Sequence, residues 1–361
     1  MALASADPLG DGDPGLVLPP RRWPAAVAAR YELIRRTGQG HFGDVYLAWD
    51  RVDKRLVAVK RLAGRTDRVF IRTGLRELAR EAMSLGACRG HPSVVELLAT
   101  YADSRHADGD CFVVTAFAGR MNLRRYMALR QREGRPFHEA EVRDVMQQLL
   151  AGVGRAHAAG ILHRAIEPAN VVVDEGTTEK KKKVAYRICG FGMSEPAAQA
   201  GKDGFSQVAA PTSYRAPELF LGSKEYDGRV DTWALGCIMA ELLAGTGGNP
   251  LFGSNQSASE AFWNTLNLVG AEGLRDWPGL QRLPETACDP ATVAALSDFA
   301  DAGVLREMFT AKMLSEEGFD VLSGLLESNP ERRLTVEAAL KMPWFWFRPR
   351  WRSRFTACVK A

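Results

Sequence analysis

The chain is predicted to fold as an α+β protein, with strands gathered in its first third and helices filling the rest. Three observations carry this. Residues from Tyr31 to Leu62 alternate apolar and polar side chains at period two, the pattern of half-buried strands. The stretch FVVTAF, Phe112 to Phe117, reads as one more strand, buried on both faces. Beyond it apolar residues recur at helical spacing, most clearly from Glu139 to Ala158. At 361 residues the chain exceeds what one minimal core needs.

Composition bounds the function without choosing it. Forty-seven basic and 43 acidic side chains give a net charge of +4, too weak to point to nucleic acid or a membrane surface. The six cysteines, at 88, 111, 189, 237, 288 and 358, lack metal-ligand spacing and read as reduced thiols of an intracellular protein, nuclear or cytoplasmic. The N-terminus carries Asp7, Asp11 and Asp13 where a secretory signal would carry a basic patch and an apolar run. No apolar run approaches the roughly 18 residues of a membrane span.

Taken in order, residues 1–28 are rich in Pro, Gly and Ala and read as a disordered leader. Three antiparallel strands follow from Tyr31, broken by a glycine cluster and then by Asp50 to Lys54. The cluster is G-x-G-x-x-G-x-V, formed by Gly38, Gln39, Gly40, His41, Phe42, Gly43 and Val45. Glycine lets backbone approach a phosphate and offer it N–H groups. A dinucleotide-binding turn shares the spacing but enters a helix, whereas the residues after Gly43 read as strand. Residues 74–88 place Leu75, Leu78, Ala82 and Leu85 on one face of a helix. A long polar insertion, DEGTTEKKKK, follows residue 173. The C-terminal WFWFRPRWRSRF reads as a helix end packed on the domain and a basic tail over 346–361, in preference to a stacking surface for nucleic acid.

The chain's organising stretch is ILHRAIEPANVVV from Ile161, followed by ICGFG ending at Gly192. It resembles the protein kinase catalytic loop, H-R-D-L-x-x-x-N, and metal loop, D-F-G. His163, Arg164, Pro168 and Asn170 stand as in the family. Ala165 stands at the position of the catalytic base, Glu167 at that of the loop lysine, and Gly190 at that of the metal-binding aspartate. The resemblance runs from Tyr31 to about Phe345. It implies a bilobal kinase domain over 31–345, with a β-rich N-terminal lobe over about 31–116 containing one regulatory helix, and a larger, mainly helical lobe over about 119–345.

The same resemblance assigns the site. ATP would lie against the glycine loop, Val45, Ala58, Lys60 of VAVK, the gatekeeper Thr115 and the backbone of Ala116 to Ala118. Glu81 is expected to hold Lys60, with Glu77 one turn earlier as the alternative. Asn170 is the remaining metal ligand, and the loss of the acid at 190 argues against Mg²⁺. Asp231 of DTWALGC is expected to brace the catalytic loop, and Glu218 to pair with Arg333. Ser206 lies where related kinases carry an activating phosphosite, and a phosphate there would pair with Arg164.

SYRAPEL and GNPLFGSN, with the helical stretch into DWPGL, resemble the cyclin-dependent-kinase branch, and within it the plant proteins. A cyclin partner is opposed by the helix sequence RTGLREL, which lacks that branch's cyclin-binding signature. His41-Phe42 replace a phosphorylatable pair, and Pro211 replaces a threonine near the acceptor pocket. The reading is a pseudokinase with a scaffold or regulatory role toward a protein partner. A weakly active Ser/Thr kinase using Glu167, and a binding module independent of nucleotide, are the alternatives.

Overall fold

In the computed structural model the described residues are 23–40, 43–62, 68–102, 111–176, 183–202, 212–252, 257–283, 290–299 and 303–346. A five-stranded antiparallel sheet of order β1-β2-β3-β5-β4 forms the N-terminal lobe, from β1 (Tyr31–Gly40), β2 (Gly43–Asp50), β3 (Arg55–Leu62), β4 (Leu97–Ala102) and β5 (Cys111–Ala116). The period-two pattern puts Ala58 and Lys60 on one face, while Val57 and Val59 turn to the other and are fully buried. The β1–β2 hairpin closes with Gly40 opposite Gly43. A Cβ at Gly43 would lie 1.9 Å from the Arg61 carbonyl oxygen, so only glycine fits there.

The outer sheet face is covered by a segment expected to be leader. Trp23 packs edge-on against Tyr46 and Phe112, with ring centroids 5.7 and 5.8 Å away. Helix α1 (Ala25–Arg30) buries Val27 completely, and Arg30 bonds the buried carboxylate of Asp50 at 2.8 Å. The folded body therefore begins by Trp23 rather than after residue 28. The apolar side chains of Trp23 and Val27, few as they are, each find a pocket, which composition alone could not show.

The other sheet face meets helix α2 (Arg68–Ala87), which starts six residues earlier than the apolar pattern predicted. Next come β6 (Met121–Asn122), helix α3 (Leu123–Arg132) and helix α4 (Glu139–Ala158). Helix α4 buries Val142, Val145, Met146, Leu149, Leu150 and Val153, the stripe read from its spacing. Strands β7 (Ile161–Leu162), β8 (Val171–Asp174) and β9 (Ala185–Ile188) carry the loops between them, and β10 (Glu195–Pro196) pairs antiparallel with β7. A short helix α5 (Pro217–Phe220) precedes α6 (Arg229–Ala244). Residues Val230 to Leu243 of α6 are all buried, as expected of a helix apolar on every side at the centre of a lobe. Helix α7 (Ala258–Val269) and further short helices to Trp346 complete the lobe. No helix among the described residues is long and apolar enough to cross a membrane.

Candidate functional site

Strand β3 and helix α2 set the first part of the site. Lys60 points off the sheet toward α2, and its Nζ lies 2.6 Å from Glu81 Oε2. Both side chains are largely shielded from water. Glu81 thus fills the place expected of it, while the side chain of Glu77 lies outside the described residues. Val45 on β2 is the cross-strand partner of Lys60, and Ala58 that of Thr115 on β5. Gly38 lies opposite Val45. The side chain of Gln39, and His41 and Phe42 entirely, lie outside the described residues, as do Ser206 and Pro211.

The loop after β7 is held from below by Asp231. Its Oδ1 accepts the Arg164 N–H at 2.7 Å and its Oδ2 the His163 N–H at 2.8 Å, with His157 Nε2 2.9 Å from Oδ2. Burial alone would raise this carboxyl, but the hydrogen bonds from His157 and the loop backbone hold it below the usual carboxylate range. Arg164 adopts φ +63°, a strained conformation for a side-chain-bearing residue that these two bonds enforce. His163 accepts from the Ala165 N–H through Nδ1 at 3.2 Å, so it donates from Nε2 to the Cys189 carbonyl at 3.0 Å. Burial lowers its pKa, in keeping with this neutral form. Its ring meets Phe191 edge-on with centroids 4.4 Å apart. The Cys189 thiol is pushed up to about 12 by burial and stays protonated at neutral pH.

Asn170 lies beside both positions of lost charge. Asn170 donates from Nδ2 to the Ala165 carbonyl at 2.8 Å. Gly190 adopts φ +81°, and a Cβ there would fall 2.5 Å from Asn170 Oδ1. The amide that was expected as a metal ligand therefore lies between Ala165 and Gly190. Glu167 pairs with Arg124 of α3 at 3.0 Å, Arg124 approaches the Tyr214 hydroxyl at 3.4 Å, and Tyr214 donates to Glu241 Oε2 at 3.1 Å. Burial raises the Glu167 carboxyl above its ordinary range, with Arg124 acting in the opposite direction. Glu241 is fully buried, and burial pushes it up to about 8.

The backbone of Ala116 to Ala118 departs from expectation at two atoms. The Ala118 carbonyl accepts from Arg187 Nη1 at 3.0 Å, and the Ala116 N–H is bonded to the Glu96 carbonyl at 2.9 Å. Two charged residues that line the site were not expected from the sequence, Arg124 and Glu195. Glu195 Oε2 lies 2.6 Å from Arg164, and both side chains are buried. Arg164 was expected to receive a phosphate, and it is already matched by this carboxylate. The available signal was physical: a glutamate standing for a lysine at 167, or an arginine buried at 164, each requires an opposite charge beside it. Glu218 and Arg333 form the expected buried pair, bidentate at 2.7 and 2.8 Å.

Comparison with known proteins places this arrangement. The family described as Protein kinase domain matches residues 31–345. A rice protein (Oryza sativa subsp. japonica) named "Putative cyclin-dependent kinase F-2" is 45% identical over 318 residues, covering 88% of this chain and 90% of that protein. Cyclin-dependent kinase G1 of Arabidopsis thaliana is 33% identical over 87% of this chain, and cyclin-dependent kinase G-2 of Oryza sativa subsp. indica is 32% identical over the same share. The chain spans only 48% and 41% of those two longer proteins. With its Lys60–Glu81 pair, its braced catalytic loop and its match over 31–345, the chain belongs to the protein kinase family, on the plant cyclin-dependent-kinase branch.

Proposed function

We propose that this protein clasps a nucleotide between its lobes without transferring the γ-phosphate at a useful rate, and acts as a pseudokinase in a regulatory or scaffold role toward another protein. Kinase domains in general use ATP. The groups that hold the non-reacting part of ATP fit: Lys60 is positioned by Glu81, and Gly38, Gly40 and Gly43 lie at the β1–β2 turn. A magnesium ion does not fit. It demands anionic oxygens in near-octahedral array, whereas positions 165 and 190 offer no carboxylate and Glu167 is turned to Arg124. Phosphoryl transfer depends on positioning and on neutralising charge, so the loss acts on both. A positioned base contributes about 10²–10⁴ in rate, and losing base and metal ligand together lowers it by roughly 10⁴ or more.

The single observation carrying this reading is that neither 165 nor 190 bears a carboxylate while Glu167, the acid beside them, is paired with Arg124. A cyclin is not part of the proposal: α2 lacks the branch's signature and is already held inward by the Lys60–Glu81 pair. The proposal includes an intracellular location, nucleus or cytoplasm, which rests on reading the scattered cysteines as reduced thiols. A second reading, weak transfer with Glu167 as base, is favoured only by the raised pKa of that carboxyl. Incubation of purified protein with labelled ATP and a generic protein acceptor separates the two. The proposal expects no incorporation that depends on Lys60. Incorporation that survives repeated purification and disappears in Lys60→Met overturns it.

A further inference from the structure

Two consecutive residues after the Phe191-Gly192 turn tie to both lobes the start of the stretch Met193 to Glu218, which resembles the kinase activation segment. Ser194 Oγ donates to the Phe191 carbonyl at 2.6 Å, which spends its one proton. The Ser84 hydroxyl of α2, 2.7 Å away, is therefore the donor in the Ser84–Ser194 bond. Both serines are buried. The neighbouring Glu195 is satisfied at both oxygens, by Arg164 at 2.6 Å and by the Tyr226 hydroxyl at 2.5 Å. Its backbone pairs with Leu162 of β7, directly before the catalytic loop, and the Ala197 N–H bonds the Gly160 carbonyl at 2.8 Å.

We propose that Ser194 and Glu195 form a built-in latch, which holds residues 193–202 and α2 docked on the catalytic loop without a phosphate. A phosphate orders such a segment by pairing with arginine. Here a carboxylate of the same chain occupies the arginine in a dry site, with 2% of its side chain exposed. An incoming phosphate would have to expel Glu195 and leave a buried carboxylate unpaired, at a large energetic cost. Arg164 is thus withdrawn from phosphate recognition, and α2 is held by a hydroxyl pair of its own chain. This inference is independent of nucleotide binding.

The test uses the full chain, phosphatase-treated and verified free of phosphate by intact mass. Thermal melts are run in rising inorganic phosphate against sodium chloride of matched ionic strength. Wild type should show no phosphate-specific shift. Glu195→Ala should melt lower by about 5 °C or more and regain part of that loss in phosphate, as the anion enters the space beside Arg164. Equal stabilisation of wild type by phosphate, or a Glu195→Ala melt that matches wild type, overturns the latch. Hydrogen exchange on the same phosphatase-treated wild type supplies a readout that needs no variant. Slow exchange over 161–163 and 194–197 in the phosphate-free wild type is expected, and fast exchange there contradicts it. Ser84→Ala should quicken exchange over 76–87 while leaving 161–163 protected, and unchanged exchange over 76–87 removes Ser194 from the latch.

Discussion

Asn170 occupies the volume that a side chain at position 190 would need. Its Oδ1 lies 2.5 Å from the ideal Cβ of Gly190 and its Nδ2 is bonded to the Ala165 carbonyl. One amide therefore touches both positions from which the family's acids are missing. The contact at 165 is to the backbone carbonyl, so of the two positions only 190 has its side-chain space taken by Asn170.

Restoring one acid should fail for a stated reason. Gly190→Asp alone adds a side chain at φ +81° against Asn170, an overpacking that costs about 1–3 kcal/mol. It should lower the melting temperature and give no transfer. Ala165→Asp together with Gly190→Asp returns both the base and the metal ligand and should yield measurable Lys60-dependent incorporation from labelled ATP. An inactive but well-folded double variant would show that more than the two carboxylates is missing.

Glu167→Lys, the substitution that recreates the family's residue, should be destabilising here. The new ammonium would meet the Arg124 guanidinium, which now lies 3.0 Å from the glutamate, in a half-buried setting. Combining it with Arg124→Ala should recover stability, with a coupling of about 0.5–3 kcal/mol in a double-mutant cycle followed by denaturant melts. Additive effects would show that the pair is not energetically real.

Glu241 gives a pH dependence whose sign is fixed by its raised pKa. Between the unfolded carboxyl's value of 4.5 and the folded value of about 8, the unfolded chain has lost this proton and the native state still holds it. Stability from this group is thus full in acid and falls as pH rises through that window, by at most ~1.4 kcal/mol per pH unit. Glu241→Gln keeps an acceptor for the Tyr214 hydroxyl and has nothing to titrate. The variant's stability curve from pH 5 to 8, measured in urea, should be flatter than wild type by that group's contribution. Parallel curves would place the proton elsewhere.

Arg333 is fully buried, bidentate to Glu218 and stacked over Trp233 with its guanidinium carbon 4.9 Å from the ring centroid. Arg333→Ala leaves Glu218 as a buried, unpaired charge and should cost about 3–5 kcal/mol. A chemical-denaturation midpoint unchanged from wild type would contradict the assignment. Glu218→Gln with Arg333→Met, which removes both charges, should cost less than the single change, since no orphaned ion remains.

What the sequence made legible was whatever repeats locally or belongs to a motif. Period two gave β1 to β3, helical spacing gave α4, and the family frame gave Glu81, Asp231 and the Glu218–Arg333 pair. The features it hid join distant residues through single contacts. Arg124 meets Glu167 across 43 positions, and Ser84 meets Ser194 across 110. Nothing in a local pattern reports such a distance. The leader boundary was misplaced for a similar reason: Val27 is buried because a sheet face built later in the chain needs a cover, and proline-rich composition around it carries no trace of that need.

The proposed function requires a cleft that binds nucleotide without depending on a metal ion. Calorimetric titration of the purified protein with ATP, in the presence of Mg²⁺ and again with the metal chelated, tests this most directly. Binding is expected in both, with dissociation constants agreeing within about threefold, a difference of only ~0.7 kcal/mol, and loss of binding in Lys60→Met. Binding that requires Mg²⁺, or is tightened tenfold or more by it, would overturn the proposed metal-independent clasp.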